Sequence, residues 1–305
     1  MRKVGLSACA IALAAAAAFG QQTPVFRVSV ERVRLDALVT AGGRPLEGLT
    51  AADFDVLDNG VPQRVDVATT AGDVTMVLVL DTSGSVEGTR LEHLVAASQT
   101  VVDLLSPGDT ALLITFSDRL ALSTWSVRSQ ASVRAALVGA QASGHTAMWD
   151  ALFAGLSFAS GDSGRSLVLL FTDGIENASW LTEKMVTESL KRTESVVCAV
   201  NPVIDLRQDS PAQRSQNTLS AAGRMLLWKV VEQTGGSLLE ADWSEKLSQQ
   251  FASIVREFRS RYLLLYEPAG VGRDDGWHRV EVRVKSRSAK VRVRPGYYAT
   301  PRGTR

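Results

Sequence analysis

"VLVLDTSGSV", residues 77–86, runs four apolar residues straight into Asp81-Thr82-Ser83-Gly84-Ser85. A short continuous run of Val and Leu bounded by turn residues reads as a strand buried on both faces. Strands of that kind belong to parallel sheets covered by helices. In an open parallel sheet, ligands bind where strands end and helices begin. The cluster at 81–85 therefore bears on both the fold and the site.

Outward from it, similar apolar runs occur at 74–80, 110–116, 166–171 and 195–200. Helical patterns separate or follow them at 90–105, 147–159, 181–192, 223–234 and 244–260. The alternation predicts a doubly wound, mostly parallel α/β sheet over 71–260. The stretch "DRLALSTW" after Ser117 is expected to add a hairpin strand at an edge. The polar stretch 201–223 reads as a long connection leaving a strand's carboxyl end, a candidate specificity loop.

Both flanks change to a two-residue period. Over 21–70, Phe26, Val28 and Val30 alternate with polar residues. Val33, Leu35, Ala37 and Val39 then alternate in the opposite phase, which predicts a bulge near Glu31-Arg32. Asn59-Gly60 between alternating runs is a hairpin signal, because both turn positions need positive φ. Over 261–299, Tyr262–Tyr266, the set His278, Val280, Val282 and Val284, and the pair Val291 and Val293 give further strands. Neither flank is large enough to bury a core alone. They are expected to pair into one β-sandwich-like module with the α/β domain inserted between them, leaving 300–305 as a tail.

Residues 1–20 read as a secretory signal. Arg2 and Lys3 precede the Ala-rich run 4–19, and Ala18-Phe19-Gly20 offers small residues for cleavage. The run is short for a spanning helix, so no stable membrane span is expected after cleavage. Leu6-Ser7-Ala8-Cys9 lies too near the start for a lipoprotein box. Export to the periplasm or the cell exterior follows. Losing Arg2 and Lys3 takes the formal charge from +1 to −1, which gives no field for nucleic acid or anionic membrane. Cys198 is then the remaining cysteine and reads as a small core residue within "SVVCAV".

Two more polar groups arrive at strand or helix ends: Thr146 in "SGHTAMWDAL" and Asp173 in "SLVLLFTDG". Two carboxylates and three hydroxyls are all oxygen donors, which suits a hard cation such as Mg²⁺. The step of two lets Asp81, Ser83 and Ser85 face inward from one turn, with Gly84 easing the bend. Taken singly, each element has a plain reading as a helix N-cap or a turn. The conjunction at matching strand ends is what favours a metal site. Gly84, His145, Gly174 and Glu176 lie beside it as candidate ligand contacts.

"SGDSGRS", 160–166, has a protease-like look but connects a helix to a strand start, the edge opposite the metal group. His93, His145 and His278 lack metal-ligand spacing. The basic set Arg279, Arg283, Lys285, Arg287, Lys290, Arg292 and Arg294 reads as the solvent face of half-buried strands.

Asp81-x-Ser83-x-Ser85, Thr146 and Thr-Asp173-Gly together resemble the metal-ion-dependent adhesion site of von Willebrand factor A domains. The flanks, "LDALVTAGGRPLEGLTAADFDVLDNGVPQRV" (35–65) and "YLLLYEPAGVGRDDGWHRVEVRVKSRSAKVRVRPGYYA" (262–299), resemble those of exported proteins of acidobacterial type that carry this domain. The resemblance implies Mg²⁺ or Mn²⁺, ahead of Ca²⁺, held by the hydroxyls of Ser83, Ser85 and Thr146. Asp81 and Asp173 would act directly or through water, and a partner's Asp or Glu carboxylate would complete the shell. The implied function is non-enzymatic protein binding or adhesion. Two alternatives stand beside it: a metal-assisted hydrolase with Glu176 as general base, and a structural envelope assembly protein.

Overall fold

The computed structural model describes residues 32–68, 72–122, 130–160, 164–203, 211–244, 246–272, 276–286 and 288–299, with backbone alone at 203 and 211–222. The signal at 1–20, the alternation at 26–30 and Glu31 of the expected bulge lie outside them.

The amino-terminal flank forms β1 (Val33–Ala41), β2 (Arg44–Pro45), β3 (Phe54–Asp58), β4 (Val61–Gln63) and β5 (Asp66–Ala68). The body follows as β6 (Val74–Asp81), α1 (Thr89–Asp103), β7 (Thr110–Phe116), β8 (Leu120–Leu122), α2 (Gln130–Val138), α3 (Met148–Ala159), β9 (Arg165–Phe171), α4 (Glu183–Arg192), β10 (Val196–Val203), α5 (Pro211–Thr234), β11 (Leu238–Asp242) and α6 (Lys246–Arg259). The chain returns through β12 (Tyr262–Tyr266), β13 (Trp277–Val284), β14 (Ala289–Arg292) and β15 (Gly296–Tyr298).

The body's sheet has the order β11-β10-β9-β6-β7-β8, parallel except for the β8 edge hairpin. Its strands are apolar throughout because both faces are covered. Met76, Leu78 and Leu80 pack under α1, α2 and α6, while Val77 and Val79 pack under α3, α4 and α5. Cys198 is buried in the first of these layers as a free thiol, and burial pushes its pKa up.

Three elements depart from the sequence reading. Residues 211–222 continue α5, so the connection expected at 201–223 is half helix, and residues 204–210 lie outside the described set. Pro211 stands at its first position, where a missing N–H is harmless. α2 and β11 were not legible, the first being two turns with Val133 and Leu137 buried, the second a five-residue edge strand.

The flanks pair with each other. β14-β1-β12-β5 form one sheet, with β2 on β1, and β15-β13-β3-β4 the other. Val33, Leu35, Ala37, Val39, Leu264 and Tyr266 share a core with Phe54, Val56 and Val280. The β3–β4 turn is Asn59-Gly60 with φ of 47° and 83°, as two-residue hairpins require. Asp58 joins the two sheets: it accepts from Tyr266 Oη at 2.9 Å and Tyr297 Oη at 2.8 Å, and lies 2.9 Å from His278 Nδ1.

This module is bolted to the amino-terminal edge of the body's sheet. Arg165 at the start of β9 bonds Asp36 at 2.7 Å, and Arg34 donates to Gly164 O at 3.2 Å. Among the described residues of the basic set, which leave out Arg287, Arg294 departs from the solvent-face reading: it is buried and donates to Thr193 O and Arg34 O. Burial lowers its pKa. Of "SGDSGRS", residues 161–163 lie outside the described set, and 164–166 sit at this same edge, with Ser166 Oγ 2.8 Å from Ser195 Oγ. The opposite edge carries Asp81. No helix among the described residues is long and apolar enough to cross a membrane.

Candidate metal centre

β6 and β9 are neighbours, yet the chain leaves β6 through α1 on one face and reaches β9 through α3 on the other. That divergence opens a crevice at their carboxyl ends, the switch point of a doubly wound sheet. Asp81 ends β6 and Asp173 follows β9 by two residues. The fold thus brings together two carboxylates separated by 92 positions.

The local turn is built by the carboxylate itself. Asp81 Oδ1 accepts from Ser83 N at 2.9 Å, and Oδ2 accepts from Thr172 Oγ1 at 2.7 Å. Ser85 Oγ donates to Asp173 Oδ2 at 3.0 Å and lies 3.2 Å from Ser83 Oγ. Asp173 Oδ1 accepts from Ile175 N at 3.0 Å. Asp81, Ser83, Thr146 and Asp173 are all buried.

The loop before α3 closes the crevice. Gly84 N donates to Gly144 O at 3.1 Å and Ser143 N to Thr82 O at 2.9 Å. Thr146 O accepts from Asn177 N and Ala178 N, while Thr146 N donates to Asn177 Oδ1 at 2.8 Å. All three polar segments therefore meet at one edge. His145 is exposed beside Thr146.

The capping explanation fails here. α1 is capped by Gly88, α3 by Ala147, and the short 3-10 turn at 84–86 by Ser83 without a side-chain bond. The hydroxyls of Ser83 and Ser85 face the carboxylates instead.

Electrostatics point the same way. Burial, reinforced by the Asp173 charge, pushes the Asp81 carboxyl up to about 7. Burial also raises Asp173, offset in part by bonds from Ile175 and Ser85 and by the charge of Arg90. Arg90 donates to Ser85 O at 3.0 Å and stacks on Trp243. Two buried carboxylates with a raised affinity for protons are equally suited to a divalent cation, and the surrounding donors are all oxygen. No cluster of three His, Cys, Asp or Glu side chains occurs among the described residues, so the donor set depends on hydroxyls.

Two candidates change meaning. Glu176 Oε2 accepts from Trp149 N and Ser179 Oγ, and Oε1 from Ala178 N and Ser179 N. All its acceptor capacity holds α3 and its own loop, so it is a positioning residue rather than a poised base. Gly84 has no positive φ, and a Cβ there would sit 3.6 Å from Gly144 O, so its conformation does not demand glycine. Gly174 does: φ is 77° and a Cβ would meet the Gly223 backbone at 2.8 Å. That backbone-to-backbone approach sets α5 against the Asp173 loop. Thr172 and Asn177 are the contributors missed from sequence, each hidden beside a more conspicuous carboxylate.

Residues 76–176 match the sequence profile of the von Willebrand factor type A domain. The structure resembles a von Willebrand factor type A protein from Catenulispora acidiphila, at 14% identity and TM-score 0.51, over 90% of this chain and 74% of that one. It also resembles proximal thread matrix protein 1 from the mussel byssus, solved with a zinc occupied MIDAS motif. That likeness has 18% identity and TM-score 0.50, over 65% of this chain and 49% of that one. This chain thus spans about half the length of the mussel protein. A search of curated proteins returns no match. The profile match begins within β6 and ends just past Asp173, so it spans both carboxylates, and the body around it shares the fold of these von Willebrand factor type A proteins.

Proposed function

We propose that this chain is an exported binding module that holds a divalent cation at Asp81, Ser83, Ser85, Thr146 and Asp173 and uses it to capture an Asp or Glu carboxylate of a protein partner. One observation carries the reading: two buried carboxylates share a hydroxyl-lined crevice in which those hydroxyls cap no helix. Mg²⁺ and Mn²⁺ suit this compact oxygen set better than Ca²⁺, which takes more ligands. The zinc occupied MIDAS motif of the mussel relative supports a divalent ion in this fold. The bound cation supplies a positive charge that a partner's carboxylate neutralises. The chain's own part is to hold the two carboxylates together at one crevice and to orient the hydroxyls around them.

Calorimetric titration of the mature chain with Mg²⁺ and Mn²⁺, beside Asp81→Ala, tests this. Saturable binding by the wild type and none by the variant is expected. Equal binding by both would place the ion elsewhere and end the reading. The hydrolytic alternative has no support from Glu176, whose oxygens are already engaged.

A further inference from the structure

The loop that follows Asp173 is held with unusual thoroughness. Glu176 ties it to the first turn of α3, Asn177 ties it to Thr146, and Ser179 Oγ accepts from Trp149 N at 3.0 Å. Asp150, in that same first turn, accepts from Trp180 N at 3.0 Å and Leu181 N at 2.9 Å. Leu181 turns inward and packs against the core under α3 and α4. Its neighbour Trp180 does the opposite. It is 94% exposed, the most exposed large apolar side chain among the described residues.

An indole left in water forfeits the burial that usually keeps tryptophan inside. Here the backbone beneath it is held by bonds on both sides, Trp180 N and Leu181 N donating to Asp150 and Ser179 N to Glu176, so its outward position is set by the loop's own hydrogen bonds. Its location follows from the same bonds. The loop bonds Thr146 and the start of α3, so Trp180 stands on the carboxyl edge of the sheet, the edge of Asp81 and Asp173. The charge there selects the occupant's other half: a cation in the crevice, with Arg90 beside Asp173, complements an anion.

Resting on the metal reading above, we infer that Trp180 is the second anchor of the binding face, taking an apolar side chain of the same partner segment that delivers its carboxylate to the ion. A lone carboxylate on a metal discriminates poorly between acidic surfaces. Specific interfaces draw most of their affinity from a few rigid aromatic anchors, Trp foremost. The occupant is therefore an acidic peptide segment with an aliphatic residue near its Asp or Glu. Trp180 is a specificity residue that does not touch the ion.

The test uses the full mature chain in saturating Mg²⁺ and fluorescence anisotropy of labelled Gly/Ser peptides. The parent peptide carries one Glu; the others add one Leu stepped along the sequence. At least one Leu peptide is expected to bind about tenfold tighter than the parent. That gain should vanish in Trp180→Ala and largely survive in Trp180→Phe, with calorimetric Mg²⁺ affinity the same in all three proteins. Parent binding with no gain at any Leu position, or a gain that persists in Trp180→Ala, overturns the inference alone. Loss of Mg²⁺-dependent binding even for the parent peptide overturns the metal reading and this inference with it.

Discussion

Replacing Asp81 by Asn should stabilise the metal-free protein while abolishing its response to metal. The carboxylate is buried in the crevice and raised from 3.8 to about 7 by burial and by Asp173. At about 1.4 kcal/mol per unit, ionising it in the folded chain costs on the order of 4 kcal/mol relative to the unfolded chain. Asn keeps the shape and an oxygen for Ser83 N, and Thr172 Oγ1 can turn from donor to acceptor. Allowing for imperfect amide bonding, a gain of about 2–3 kcal/mol is expected, or about 3–5 °C in melting temperature for a chain of this length. The sign depends on pH. A carboxyl with a raised folded pKa binds its proton more tightly in the folded state. Its stabilising effect is complete below about 3.8 and is lost as pH rises through about 7. The variant should thus gain most at pH near 8 and least at pH near 5. Mg²⁺ at about a thousandfold excess over Kd should reverse the order, adding about 4.1 kcal/mol to the wild type and nothing to the variant. Thermal melts by circular dichroism, in chelator and in Mg²⁺ at both pH values, read all four cases. A variant that melts below wild type in chelator at the higher pH would refute the argument that an uncompensated charge is held in the crevice.

Three more outcomes are expected. Mg²⁺ affinity should fall as pH drops below about 7, with proton release on binding, because protons and cation compete for Asp81; calorimetry in buffers of different ionisation enthalpy counts those protons. Gly174→Ala should lose about 2–4 kcal/mol in urea unfolding, combining a positive-φ penalty with a clash against the Gly223 backbone. Asp58→Ala should lose about 3 kcal/mol or more, since two buried tyrosine hydroxyls and His278 lose a shared acceptor; the same urea transition measures it.

What the sequence revealed depended on which physical signal each element carries. The body's central strands were legible because burial on both faces leaves an uninterrupted apolar run, as in Val77–Leu80. The Asn59-Gly60 hairpin was legible because its backbone conformation restricts residue choice. β11 escaped because an edge strand of five residues needs no long apolar run, and the first half of α5 escaped because its polar sequence shows no apolar stripe. That Asp81, Ser83, Ser85, Thr146 and Asp173 gather at one edge was legible from spacing and strand-end context. The role of Glu176 was misread, since only the structure shows that its oxygens are filled by Trp149, Ala178 and Ser179. Arg294 was misread for a similar reason: strand alternation predicts a face, not the neighbouring module that covers it.

The pairing of β5 with β12 has a mechanical consequence. These are the strands by which the chain enters and leaves the α/β body, and Ala68 lies opposite Leu263 in their ladder. The body is therefore a closed loop hung on a two-strand stem. Tension applied between β1 and β15 runs through the ladders of the sandwich and bypasses the body altogether. A pull applied at the Asp81 edge takes another route, down through the parallel strands to the arginine-bolted base. The Asp81 edge thus lies off the path that strain along the chain would take.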